Sequence, residues 1–181
     1  THLIDLPLLH WGRMAYVDPR CSECRYGQST PLNALYYSTL QRAAQLAMML
    51  GDTMTAQSWQ EKAQAVKTSV NQLLYLPTEQ RYATSFYDGQ WLAPGPHAQA
   101  WALAYDIVEE QNIPDVTSAM LELLSQDPDS PNLEIYGMYW VLSALGKNGN
   151  IQPALEIIER YYGYLLDRQA STWWENFNAD T

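Results

Sequence analysis

Thr30-Pro-Leu-Asn-Ala-Leu-Tyr-Tyr-Ser-Thr-Leu-Gln-Arg-Ala-Ala-Gln-Leu-Ala-Met-Met-Leu-Gly51-Asp52 is the stretch whose reading decides the fold class. Leu32, Leu35, Tyr36, Leu40, Ala43, Ala47 and Leu50 recur at steps of three and four, the spacing that puts side chains on one face of a helix. Thr30 stands where a cap is wanted, and Pro31 suits the first helical position. Gly51 ends the run, because it enters the left-handed conformation without penalty. A second periodic run starts two residues later, at Thr53, and continues to Leu76. There Trp59, Ala63, Val66, Val70, Leu73 and Leu74 share a face, and Pro77 bars continuation. Two helices joined by so short a link form an αα-hairpin.

The same signature repeats downstream. Helices are predicted from about Pro96 to Glu110, Pro114 to Ser125, Leu133 to Leu145 and Ile151 to Arg168. Asp127-Pro-Asp-Ser-Pro131 is a clear break. Only residues 80–94 depart from the pattern: Asp88-Gly89 between Tyr82–Tyr87 and Gln90–Leu92 reads as a short β-hairpin or ordered loop insertion. Leu50-Gly-Asp52 and Leu145-Gly-Lys147 form a weak internal echo, each closing one helix before the next. The expectation is an all-α array of helical hairpins, and periodicity does not choose between a closed toroid and an open solenoid.

Charge and composition exclude whole classes of function. With 10 Lys+Arg against 20 Asp+Glu the formal charge is −10, so there is no basic cluster for nucleic acid or for an anionic membrane surface. No apolar run approaches the roughly 20 residues of a membrane span. The 181 residues suit one domain. Seven Trp and 13 Tyr against two Phe favour side chains with a flat apolar face and a polar handle, a composition that suits sugar stacking and interfaces as well as a helical core. Cys21 and Cys24 form a lone C-x2-C. His2, His10 and His97 lack the spacing that would complete a four-ligand zinc site, so no metal or cofactor is expected. Two cysteines do not settle the redox compartment.

Three places can carry chemistry. In Gln169-Ala-Ser-Thr-Trp-Trp-Glu-Asn-Phe177 two adjacent indoles precede one carboxylate, Glu175. Indoles raise a neighbouring carboxyl's pKa by desolvation and offer a stacking face to a sugar ring. The plainer reading has Trp173 and Trp174 closing the core and Glu175 capping. In Leu3-Ile-Asp-Leu-Pro-Leu-Leu-His-Trp-Gly12, Asp5, His10 and Trp11 crowd an irregular stretch of the kind that holds binding residues; a capping Asp and a core His are the alternative. His97 opens the third helix beside Gln99 and Trp101, as a cap or a contact to polar ligand groups. Glu109-Glu110 and the pair Glu156 and Glu159 read as solvated faces.

Taken together, these segments resemble the catalytic domain of α-L-rhamnosidases. The resemblance rests on Leu3-Ile-Asp-Leu-Pro7 with Trp11, Asn33-Ala-Leu-Tyr-Tyr37, Leu46-Ala47, Leu50-Gly-Asp52, Pro96-His-Ala-Gln-Ala-Trp-Ala-Leu-Ala-Tyr105 and, most of all, Ala170-Ser-Thr-Trp-Trp-Glu-Asn-Phe177. It implies that residues 1–181 are the C-terminal portion of an (α/α)6 glycosidase domain, three hairpins of a six-hairpin toroid. It implies hydrolysis of terminal α-L-rhamnosides with inversion, Glu175 as general base, and Asp5, His10, Trp11, Trp173 and Trp174 as substrate contacts. The family's general acid belongs to a segment upstream of the Ile-Asp motif, with no counterpart here, so the chain alone is expected to be inactive. A histidine-bearing segment of the family would fall beyond Thr181, and Leu6 stands where relatives often carry Trp. A half-toroid should also expose apolar flanks that self-associate or bind the missing N-terminal half. The rival readings are another six-hairpin glycosidase or lyase and a non-catalytic helical-hairpin binding module.

Overall fold

The computed structural model describes residues 2–6, 20–126, 133–174 and 177. Its helices are α1 (Thr30–Met49), α2 (Thr53–Leu73), α3 (Pro96–Ala104), α4 (Ile113–Ser125), α5 (Ile135–Lys147), α6 (Ile151–Ile157) and α7 (Gly163–Asp167). A π-helical turn, Ile158–Tyr162, joins α6 to α7, so the single run predicted over 151–168 is one helix with a wide turn in its middle. Short 3-10 turns at Glu23–Arg25 and Glu110–Asn112 precede α1 and α4.

The helices pair in sequence, α1 with α2, α3 with α4, α5 with α6, while α1 packs on α3 and α3 on α5. Each hairpin reverses the chain, so α1, α3 and α5 run the same way in one row. The segments that precede these three helices and the segment that follows α7 therefore emerge at the same end. No described helix is long and apolar enough to cross a membrane.

Helix ends are set by one device used four times. Gly51 and Gly149 take positive φ, as do Asp106 and Gln169. In each case the next residue's N–H reaches back to the helix: Asp52 to Ala47, Ile107 to Ala102, Asn150 to Leu145 and Ala170 to Leu165, at 2.9–3.0 Å. This is the Schellman arrangement, which satisfies otherwise orphaned carbonyls. It corrects two expectations. The third helix stops at Ala104 rather than near Glu110, because Asp106 accepts the left-handed turn and buries Ile107 completely. The fifth passes over Gly146 and stops near Gly149, so the second member of the internal echo is Asn148-Gly-Asn150. At the opposite terminus of α2, Asp52 Oδ1 accepts from Thr55 N at 3.1 Å. Bonding from Thr55, side chain before backbone, holds the Asp52 carboxyl below its ordinary pKa.

The insertion is more strand than helix. α2 ends at Leu73, and β2 (Tyr75–Leu76) pairs antiparallel with β3 (Arg81–Tyr82). β4 (Ser85–Tyr87) and β5 (Gln90–Trp91) form the expected hairpin, with Asp88 and Gly89 both at positive φ as a type I′ turn needs. The sequence reading did not include β1 (Gln28–Ser29), which pairs with β4 and ties the start of α1 to the insertion. Gly27 sits at φ +68 in that approach, and a Cβ there would meet the Phe86 carbonyl oxygen at 2.4 Å. Gln99 fastens the other sheet to α3: its Oε1 accepts from Tyr82 N and its Nε2 donates to Tyr82 O, both at 2.8 Å. The core centres on Trp101, stacked on Trp140 at 4.1 Å, whose Nε1 donates to the Tyr105 hydroxyl at 2.9 Å.

Candidate active site

Asp5 is presented outward by backbone held on both sides. Ile4 N donates to Asn33 Oδ1 at 2.7 Å, and Asn33 Nδ2 donates back to Ile4 O at 3.1 Å. Asn33 is itself fully buried in the first turn of α1. Leu6 forms a two-way backbone bridge with Gly27. Between these anchors the Asp5 carboxylate is exposed, with a long contact of 3.4 Å from Gln28 Nε2. Among the described residues it caps no helix.

The tail after α7 divides its aromatics between two jobs. Phe177 is 2% exposed and lies against the rings of Tyr161 and Tyr162. Trp174 packs partly buried against the core. Trp173 is 65% exposed, edge-on to Tyr162 at 5.4 Å. With Leu165, Leu166, Ala170, Ser171 and Thr172 it lines a pocket of about 470 Å³. Burial raises the Tyr162 phenol's pKa. The tail's core-closing role falls to Phe177 and Trp174, leaving Trp173 available. Glu175, His10 and Trp11 lie outside the described residues.

Asp5 and the Trp173–Trp174 pair belong to the first and third hairpins and emerge at the same end of the array. Among the described residues no hydrogen bond or ring contact joins them. His97 is not at the surface: it is 1% exposed in the first turn of α3, tilted against Trp101 at 5.7 Å. Gly95 occupies the cap position of that helix, so His97 is neither a cap nor an open ligand contact. Beside it Cys21 and Cys24 form a disulfide.

Two features were not singled out in the sequence. Glu134, 5% exposed, stands at the cap position of α5, where the helix dipole favours an anion. Following a Pro-rich break it looks like any first-turn acid, and only packing hides it. The second is a groove of about 630 Å³ across the row of α1, α3 and α5, lined among others by Arg42, Tyr139, Ser143 and the ion pair Asp106–Lys147 at 2.5 Å. None of the sequence-predicted site residues lines it. It lies toward the end of the row where these helices finish.

Residues 12–181 match the family model described as the bacterial α-L-rhamnosidase six-hairpin glycosidase domain. The chain belongs to that family. Similar folds occur in a rhamnosidase from Klebsiella oxytoca with rhamnose bound (TM-score 0.67, 22% identity, 84% of this chain and 28% of that one). A GH78 family rhamnosidase of Bacillus sp. GL1 matches with TM-score 0.74 and 21% identity over 99% of this chain and 19% of its own. An α-L-rhamnosidase from Dictyoglumus thermophilum gives 0.65 and 21% over 80% and 16%. At these identities the likeness shows the fold, and the chain spans little more than a quarter of those proteins at most. No curated protein matches it. Three hairpins of a six-hairpin domain are therefore present among the described residues.

Proposed function

We propose that this chain contributes the general-base side of the active site of an inverting glycoside hydrolase acting on terminal α-L-rhamnosides. The observation that carries the reading is the tail. Trp173 stands exposed beside a pocket while Phe177, two residues beyond Glu175, is anchored in the core. Glu175 follows the two indoles in the segment that resembles the family's Trp-Glu signature.

In this reading Glu175 takes a proton from water as the water oxygen attacks the anomeric carbon. The glycosidic C–O bond breaks, and the leaving oxygen receives a proton from a carboxylic acid on the opposite face of the sugar. Inversion sets the two carboxyls roughly 6.5–9.5 Å apart, leaving room for the water. Asp5, His10, Trp11, Trp173 and Trp174 hold the sugar, the indoles by stacking and Asp5 by accepting hydroxyl hydrogens. The acid comes from residues outside 1–181, so the chain alone does not turn over substrate. In isolation its apolar flanks self-associate; in the complete protein the missing hairpins cover them.

A panel of aryl glycosides tests this. The chain alone should release no phenol from any of them, and the complete protein should act on the α-L-rhamnoside. Glu175-dependent release by the chain alone would overturn the divided site. A complete protein idle on the rhamnoside but active on another glycoside would overturn the substrate.

A further inference from the structure

Cys21 and Cys24 are 4% and 0% exposed, and His97 is 1% exposed. Their two sulfurs and one imidazole nitrogen all lie within 4.8 Å of one another. They come from two distant parts of the chain, Cys21 and Cys24 from the segment at the 3-10 turn before α1 and His97 from the first turn of α3. The turn is itself fixed, since Ser85 Oγ donates to Glu23 O at 3.0 Å. A tetrahedral zinc with sulfur at about 2.3 Å and nitrogen at about 2.0–2.1 Å needs ligand atoms roughly 3.5–3.8 Å apart. Opening the S–S bond moves the sulfurs toward that separation, and C-x2-C is a common spacing for two thiolates on one zinc.

We infer that Cys21, Cys24 and His97 form, when the disulfide is reduced, a site for a single thiophilic divalent cation, zinc by preference, with a fourth position left for water. The disulfide then closes the site and reduction opens it. A phosphine reductant takes up the oxygen of one water to become its oxide while the disulfide becomes two thiols. Binding the metal releases the two thiol protons to solvent. The bound ion joins the segment before α1 to the start of α3. This inference stands apart from the rhamnoside reading, because it invokes none of the residues proposed to touch sugar.

The test is titration of the phosphine-reduced chain with Co2+, followed by Zn2+ competition, with oxidised chain in parallel. Expected are one equivalent of cobalt, a near-ultraviolet thiolate-to-cobalt band and the visible bands of a tetrahedral ion, all displaced by zinc and absent from the oxidised chain. His97→Gln keeps both thiols and the native disulfide for folding. After reduction it should bind cobalt more weakly by at least the roughly 10- to 100-fold that loss of a supporting neighbour costs, and lose the tetrahedral bands. If reduction loosens the chain, recovery of helical circular dichroism on adding cobalt supports the site. Reduced chain that binds cobalt no better than Cys21→Ser/Cys24→Ser, or a His97→Gln chain indistinguishable from the parent, overturns it.

Discussion

Helices α3 and α1 stand side by side in the same row, yet their surroundings differ completely. Every residue of α3 from Pro96 to Leu103 is buried. On α1 one face is buried and the opposite row is open: Leu35, Leu46 and Met49 are 40%, 58% and 84% exposed. The turn and α2 extend that surface with Leu50 and Met54. α3 has a helix of its row on each side, whereas α1 and α5 have one each. The far flank is open too, through Ile151 and Leu155 on α6. Single exposed apolar residues are ordinary, but contiguous rows mark contact surfaces. In a six-hairpin domain the next hairpins would lie against these two flanks.

The contrast can be broken first by substitution within the row. Trp101→Ala on α3 removes a ring stacked on Trp140 and should cost about 3–5 kcal/mol by chemical denaturation. Leu46→Ser on α1 should stay within roughly 0.5 kcal/mol of the parent. Equal losses at the two positions would mean that the α1 face is not open. A second comparison sharpens the flank itself. Sedimentation of the chain should show association that falls on dilution, and Leu46→Ser/Met49→Ser should move it toward monomer. A compact monomer at all concentrations would contradict the open flanks.

A smaller effect distinguishes core from flank by pH. Tyr82 is fully buried, its hydroxyl donating to Asn71 Oδ1 at 2.6 Å. Burial, aided by Tyr75 and Glu109, raises its pKa well above the ordinary 10.0. A raised folded pKa means stability that is complete below about pH 10 and lost progressively as pH climbs above it. Tyr82→Phe should cost about 1 kcal/mol at neutral pH through the lost hydrogen bond and show a flatter alkaline limb. An unchanged alkaline limb in that variant would place the sensitive group elsewhere.

Much of this was legible in the sequence, for reasons that separate local from distant causes. The hairpins follow from three- and four-residue spacing, with Gly51 closing α1; α2 ends at Leu73, before the expected stop at Pro77, because Tyr75–Leu76 pairs as a strand. The Asp88-Gly89 turn is written in its own dipeptide. The end of α3 was misread because Asp106, not glycine, takes the left-handed turn. At the candidate site, Asp5 and the Trp173–Trp174 pair are singled out by residue type and resemblance. Which indole packs and which is exposed depends on Phe177 meeting Tyr161 and Tyr162, and no local pattern encodes that. The approach of His97 to Cys21 and Cys24 is likewise tertiary: some seventy residues separate them, and no metal-ligand spacing announces the group.

The most direct test of the central claim is turnover of an aryl α-L-rhamnoside by the complete protein and its Glu175→Gln variant, with the anomer of the released sugar read by proton NMR. Expected are first-formed β-L-rhamnose from the parent and a loss of orders of magnitude in kcat in a variant that melts at the parent's temperature. Near-normal turnover by Glu175→Gln, or α-L-rhamnose as the first product, would contradict it.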